Sequence, residues 1–107
     1  MIKKSVVVTF QFEGIHSWPD CPIEEVSFLR YPHRHMFHVE LAKEVSHNDR
    51  ETEIIMLKRK LEQEFYNKIN LGSQSCEDIA ESLIKKHNLL YCKVLEDGEN
   101  GAYLWNT

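Results

Sequence analysis

The segment YPHRHMFHVELAKEV, residues 31–45, determines the predicted fold, because its side chains fall into two sets at alternate positions. One set of alternate positions holds His33, His35, Phe37, Val39 and Leu41, and the other holds Arg34, Met36, His38 and Glu40. Because successive side chains of a β-strand point to opposite faces of a sheet, this period of two predicts a strand from Arg34 to Val45.

A second alternating stretch precedes this strand. From Ile2 to Phe12, the residues Val6, Val8, Phe10 and Phe12 alternate with Ser5, Val7, Thr9 and Gln11. Residues 14–32 then carry three prolines and no clean period, and a connection this long in a small domain is usually functional or mobile. We therefore expect two long strands that form a hairpin closed by a long loop.

The second half of the chain predicts two helices and a second hairpin. Asn48 and Glu51 fit a capping box at the start of a helix. An apolar stripe indicates that this helix runs to about Lys68, and the stripe consists of Ile54, Leu57, Leu61 and Phe65. Gly72 is suited to the end of that helix, and Ser75 with Asp78 begins a second helix that stops near Asn88. The segments LLYCKVLE and AYLWN are typical of strands, and the Asp-Gly and Asn-Gly pairs of DGENG supply the positive φ angles of a hairpin.

The predicted order is β-β-α-α-β-β. It indicates a single α+β domain over residues 1–107, with a four-stranded antiparallel sheet and two helices on one face. Both faces of the first strand carry apolar residues, since Val7 lies on one face and Val6 and Val8 lie on the other. In a sheet covered on one face only, apolar and polar residues should alternate more cleanly along the strand. We therefore predict a homo-oligomer in which another subunit buries the second face.

Composition and charge narrow the class of protein. The net charge of −4 gives no global reason to bind nucleic acid or an anionic membrane, so nucleic-acid and membrane partners are not expected. The three cysteines show no short pairing pattern, which predicts a reduced protein. The apolar run of the first segment is interrupted too soon for a secretory signal or a membrane span, so we expect a cytoplasmic protein.

Three histidines are candidate metal ligands. His33 and His35 project to one face of their strand, whereas His38 points to the other. His16 lies just past the first predicted strand, and the hairpin brings it to the same end as His33. Three neutral imidazoles with an open fourth position are typical of catalytic zinc. A histidine-rich strand with no chemistry gives the same short pattern, and spacing alone leaves both interpretations open.

Five sequence motifs occur in the order known from one enzyme family. They are FEGIH at 12–16, HRH at 33–35, EIIMLK at 53–58, QSCEDIA at 74–80, and Glu96 in KVLEDGENGAY. Together with the β-β-α-α-β-β frame, they resemble the 6-pyruvoyl-tetrahydropterin synthase and 6-carboxy-tetrahydropterin synthase family, the zinc-dependent members of the tunnelling fold. The resemblance covers nearly the whole chain.

The resemblance implies a set of functional residues. Zinc would be held by His16, His33 and His35, and Glu96 would anchor a pterin or purine-like ring through its ring nitrogens. Ser75 and Cys76, at the start of the second helix, would border the pterin pocket. The fold would assemble into an oligomeric barrel with the pocket between subunits. An active member would be a zinc-dependent lyase-type synthase.

The chain departs from this family at two catalytic positions. Ser27 and Phe28 stand where the family has its proton-transferring cysteine, and Cys21 is twelve positions from His33. The connection between the two helices lacks the Asp-His pair of the family. The catalytic residues are therefore unassigned.

These departures leave two ligand-binding hypotheses open, and a structural oligomer whose histidines have no chemical role is a third possibility. The first is a diverged synthase-like protein that binds a ring beside zinc. The alternative is a non-catalytic module that captures a nucleotide in the same pocket. In that alternative the loop residues Trp18, Arg30 and Tyr31 would stack on the base and contact phosphate.

Overall fold

The computed structural model describes residues 1–107 and shows an α+β chain with a five-stranded mixed sheet. The strands are β1 Lys4–His16, β2 His33–Val45, β3 Asn70–Gly72, β4 Tyr91–Glu96 and β5 Asn100–Trp105. The α-helices are α1 Ile54–Gln63 and α2 Cys76–His87, and a 3₁₀ helix spans Glu24–Arg30 in the long loop. The strands lie in the order β3-β1-β2-β4-β5, and the sheet of the single chain is open.

The β1–β2 hairpin is the longest pairing in the sheet. Its antiparallel register runs without interruption from Lys4 opposite Val45 to His16 opposite His33. The first strand therefore ends at His16, four residues beyond the predicted end at Phe12, because β2 continues to supply hydrogen-bonding partners up to His33. The hairpin closed by the long loop is as predicted, and the loop contains the unpredicted 3₁₀ helix.

The prediction of four strands, all antiparallel, was incomplete. The short strand β3 pairs in parallel with β1 at Ile15 and His16. Three residues are too few to show a period of two, so nothing in the hydrophobic pattern distinguished this strand from a loop. Gly72, expected to end the first helix, lies at the end of β3 with φ of 64°.

The predicted bounds of the first helix were wrong at both ends. Helix α1 begins at Ile54, because the carboxylate of Glu53 accepts hydrogen bonds from the backbone N–H groups of Ile55 and Met56. Glu51, which was expected to complete a capping box, instead accepts hydrogen bonds from the backbone N–H and the hydroxyl of Ser46. The helix ends at Gln63 rather than Lys68.

Helix α2 and the second hairpin agree closely with the prediction. Ser75 and Asp78 form a reciprocal capping box, and Asn88 ends the helix in the left-handed conformation with φ of 53°. In the hairpin, Asp97 and Gly98 have positive φ angles of 56° and 75°. The Asn-Gly pair does not share that role, because Asn100 already belongs to β5.

The helices cover one face of the sheet, and the core lies between them and the strands. Phe37, Leu41, Leu61 and Ala80 are completely buried there. On the opposite face Val7 is 52% exposed in the single chain. Its covering by another subunit remains a prediction. None of the helices has the length and apolar character needed to cross a membrane.

The ends of the two helices are joined by a charged contact. Glu64, just after α1, contacts the ring of His87 and the ammonium of Lys86, both at the end of α2. Burial raises the pKa of Glu64, but the hydrogen bonds from His87 and Lys86 outweigh it and hold that pKa below its ordinary value of 4.5. The charged carboxylate therefore stabilises the contact between the end of α1 and the end of α2.

The substitution Glu64→Gln should destabilise the fold at pH 7 by about 1–2 kcal/mol, because the charge-assisted hydrogen bonds are weakened. Since the pKa of Glu64 is depressed in the folded state, its contribution is complete above the unfolded pKa and is lost as the pH falls through the folded pKa. Urea unfolding at pH 7 and pH 3 measures this difference. Glu62→Gln, in the last turn of α1, is the matched control, and an equal effect of both substitutions at pH 7 would contradict the assignment.

Candidate metal centre

Three histidines meet at one end of the β1–β2 hairpin. His16 ends β1 opposite His33, and His35 lies two residues further along β2 on the same face. The ring centroid of His16 lies 4.6 Å from that of His33 and 5.4 Å from that of His35, and the centroids of His33 and His35 are 5.0 Å apart. One nitrogen from each ring lies within 4.8 Å of the other two, so the group is able to hold a metal ion.

The second ring nitrogen of each histidine is already hydrogen-bonded. Nδ1 of His16 lies 2.7 Å from the carbonyl oxygen of Gln74, and Nδ1 of His33 lies 2.9 Å from that of Tyr31. Nδ1 of His35 lies 2.7 Å from Oδ2 of Asp97. Carbonyl and carboxylate oxygens only accept hydrogen bonds, so each Nδ1 carries a proton and donates it. In a neutral ring, the lone pair is then on Nε2.

The Nε2 atoms of His16 and His35 are buried and have no hydrogen-bond partner. Buried polar atoms in folded proteins nearly always have one, so these two atoms call for a ligand. Oε2 of Glu96 lies 3.0 Å from Nε2 of His16, and Oε1 lies 3.6 Å from Nε2 of His35, but neither approach has hydrogen-bond geometry. A lone pair and a carboxylate this close repel each other unless a proton or a cation lies between them. The donor set therefore fits a bound cation.

A cavity of about 540 Å³ opens beside this cluster. His16 and His33 form part of its wall, and the start of α2 forms another part through Ser75 and Cys76. Glu96 and Trp18 also line it, so two of the three metal candidates share one cavity with four of the other residues that the sequence singled out.

Arg30 and Tyr31, the remaining predicted contacts, do not line the cavity. Nε of Arg30 donates a hydrogen bond of 2.9 Å to the carbonyl of Cys21, and its guanidinium lies 3.8 Å from Glu24. The side chain of Tyr31 is 71% exposed, and this residue serves the site through its backbone carbonyl. His38 lies on the opposite face, as its position in the strand predicted, with its ring near Gly98.

The cavity is acidic. Its wall contains Glu77, Asp78 and Glu96 but no lysine or arginine. Such a wall favours cations and ligands that present N–H donors, and it offers a phosphate group no basic side chain.

Two cysteines differ in their relation to the site. Cys76 is buried in the cavity wall, and burial, followed by the negative charges of Glu96 and Glu77, raises the pKa of its thiol to about 12. At neutral pH it is therefore a neutral thiol rather than a nucleophilic thiolate. Cys21 is buried elsewhere in the loop, with Sγ 3.7 Å from the carbonyl oxygen of Ile23, and it does not line the cavity.

The outer contacts of the histidines were missed by the sequence analysis. Asp97 was interpreted only as a turn residue because Asp-Gly is the usual sequence of a tight hairpin. Gln74 and Tyr31 contribute main-chain carbonyls, which no side-chain pattern reveals. The position of Asp97 directly after Glu96, at the same end of the sheet as the His-x-His pair, was the available signal.

No protein-family model matches the chain, and no curated protein matches it. The resemblance to the tetrahydropterin synthases thus depends on the quoted motifs and on their order along the chain.

Removal of His16 should abolish tight binding of a divalent ion. We expect His16→Ala to lower the affinity for cobalt(II) by more than about a hundredfold, because loss of a ligand costs more than loss of an outer-shell partner. Titration followed by the visible absorption of cobalt(II) measures this. His38→Ala, on the same hairpin but on the other face, is the control, and similar titration curves for the two variants would refute the site.

Proposed function

We propose that the chain is a zinc-binding protein of the tetrahydropterin-synthase type that holds a pterin or purine-like ring in the cavity beside its three histidines. One observation carries the proposal. His16, His33 and His35 each have Nδ1 hydrogen-bonded to an oxygen, which leaves their Nε2 atoms for a metal ion, and His16 and His33 line the same cavity as Glu96.

The ligand type supports zinc. Three neutral imidazoles suit zinc, copper, iron and nickel, and three histidines with an open position are a recurrent catalytic zinc site. When bound, zinc would supply a Lewis acid beside the cavity, acting on a carbonyl or hydroxyl group of the ligand. The three outer hydrogen bonds orient the rings in advance, so little ordering would accompany metal binding.

The opposite side of the cavity is suited to a flat ring that is rich in N–H groups. The carboxylate of Glu96 can accept hydrogen bonds from two neighbouring ring nitrogens. The first backbone N–H groups of α2, at Cys76 and Glu77, have no acceptor within the helix and can donate to a ring carbonyl. Trp18 adds an aromatic surface to the same wall.

The chain lacks the proton-transferring residues that the tetrahydropterin-synthase family uses. Ser27 and Phe28 lie in the 3₁₀ helix in place of a cysteine, and no Asp-His pair occurs between α1 and α2. Cys76 is held as a neutral thiol, because the pKa of that thiol is raised to about 12. The proposal therefore covers binding of the ring and the metal, and the catalytic base stays unassigned.

The nucleotide-capturing alternative has Trp18 in the cavity wall but no basic side chain there to contact a phosphate group. The cavity has no lysine or arginine to contact a phosphate, and Arg30 is engaged by Cys21 and Glu24. The residues that line the cavity favour a ring that carries N–H donors over a ligand that carries a phosphate group.

Assembly of several copies is part of the proposal. The face opposite the helices exposes Val7, Tyr103 and Trp105, and most of the outer edge of β1 has no strand beside it, since β3 pairs only with Ile15 and His16. A sheet edge of this kind is a template for pairing with another chain. Light scattering of the purified protein should give a mass of at least two chains, and a monomer at micromolar concentration would overturn this part.

Replacement of Glu96 by glutamine should separate ring binding from metal binding. Neopterin and its triphosphate, guanine nucleotides and cyclic nucleotides are compared by the rise in melting temperature that a ligand of the folded state produces. We expect the unphosphorylated pterin to stabilise the parent protein and to lose this effect with Glu96→Gln, because one acceptor oxygen becomes a donor.

Glu99→Gln, in the neighbouring turn, is the matched control and should behave as the parent. The zinc content of Glu96→Gln, measured by elemental analysis, should stay near one ion per chain. Full retention of the pterin effect would refute the ring-anchor role. A loss of zinc would instead identify Glu96 as a metal ligand.

A further inference from the structure

We propose that Asp97 is a positioning residue that fixes the tautomer in which His35 can bind a metal ion. The inference rests on the proposed metal site and adds to it a side chain from the β4–β5 turn. The affinity for the metal would then depend on a residue that contacts neither the metal ion nor the bound pterin or purine-like ring.

Asp97 is held rigidly against β2. It is the first residue of the turn between β4 and β5, which is closed by a hydrogen bond of 2.9 Å from the N–H of Glu99 to the carbonyl of Glu96. The backbone N–H of Asp97 donates to the carbonyl of Met36 at 2.7 Å. Its Oδ1 accepts from the N–H of Met36 at 3.0 Å. Two hydrogen bonds thus attach Asp97 to the residue next to His35.

The remaining oxygen of Asp97 faces His35. Oδ2 lies 2.7 Å from Nδ1 of that ring. A carboxylate only accepts, so the ring proton stays on Nδ1 and the lone pair stays on Nε2, which is buried and unpartnered. Because the other oxygen is already used by Met36, the carboxylate cannot turn away without losing a second hydrogen bond.

His35 differs in this respect from the other two ligands. His16 and His33 donate to main-chain carbonyls, of Gln74 and Tyr31, which remain whatever side chain is present. The tautomer of His35 alone depends on a side chain. It can therefore be changed by a single substitution that leaves all three histidines in place.

Asparagine is the informative replacement. It has nearly the shape of aspartate and tolerates the positive φ of 56° at this position. Its amide offers one acceptor and one donor group to the two N–H donors of Met36 and His35. If the amide oxygen keeps Met36, the NH₂ group faces Nδ1 of His35 and favours the tautomer with the proton on Nε2, where the metal must bind.

The test measures the tautomer and the metal affinity separately. Nitrogen-15 NMR of the metal-free protein shows which ring nitrogen of His35 carries the proton. Zinc affinity is measured by competition with a chromophoric chelator. With Asp97→Asn we expect the proton to move from Nδ1 to Nε2 and the zinc affinity to fall about 10–100-fold, as for loss of an outer-shell partner.

Two further variants separate the effect of the tautomer from a loss of charge and from a loss of packing. Glu99→Gln removes the same charge from the same turn and should leave both quantities unchanged. Asp97→Ala removes the acceptor without adding a donor, so water can accept from Nδ1, and its loss of affinity should be smaller than that of Asp97→Asn. A merely structural role predicts the reverse order, because alanine loses the contact with Met36 as well.

Three results would overturn the inference: a proton that stays on Nδ1 in Asp97→Asn, an equal loss of affinity in Asp97→Asn and Glu99→Gln, or a greater loss in Asp97→Ala. If the parent protein bound no zinc, the proposed function would fail. The tautomer in the metal-free protein would still decide the role of Asp97.

Discussion

The register of the β1–β2 hairpin is the constraint on which the site depends. Residues directly opposite each other in an antiparallel pair share a face, so pairing His16 with His33 also places Phe12 opposite Phe37 on that face. A slip of one residue would turn the apolar side chains of one strand away from the helices. The burial of Phe37 in the core and the meeting of the histidines therefore follow from one register.

Gly14 shows how closely the core and the site are joined. It lies opposite His35. A Cβ atom at this position would come within 2.6 Å of the side chain of Leu71 and 2.9 Å of the ring of Phe37. The missing side chain lets Leu71 of the short strand β3 close over the hairpin beside the cluster. Glycine at this position therefore serves packing rather than flexibility.

The sequence predicted those features that depend on a repeating pattern or on a short local motif. Alternation gave the two long strands and separated His38 from the three candidate ligands, and the capping box of Ser75 and Asp78 gave the start of α2. The start of α1 was missed because Glu51 accepts hydrogen bonds from Ser46 before the helix, and Glu53 rather than Asn48 caps the first turn.

The charge of the site and the hydrogen bonds of its walls favour the same kind of ligand. Glu77 and Glu96 face the cavity without a lysine or arginine beside them, and Asp97 stands behind His35. Three neutral imidazoles do not balance these carboxylates, so a divalent ion at the Nε2 atoms would supply the positive charge that the wall lacks. A phosphorylated ligand would add further negative charge to this wall. A ring that brings N–H donors to Glu96 instead satisfies the carboxylate, and it leaves the open side of the histidine cluster to a carbonyl or hydroxyl group of the same molecule.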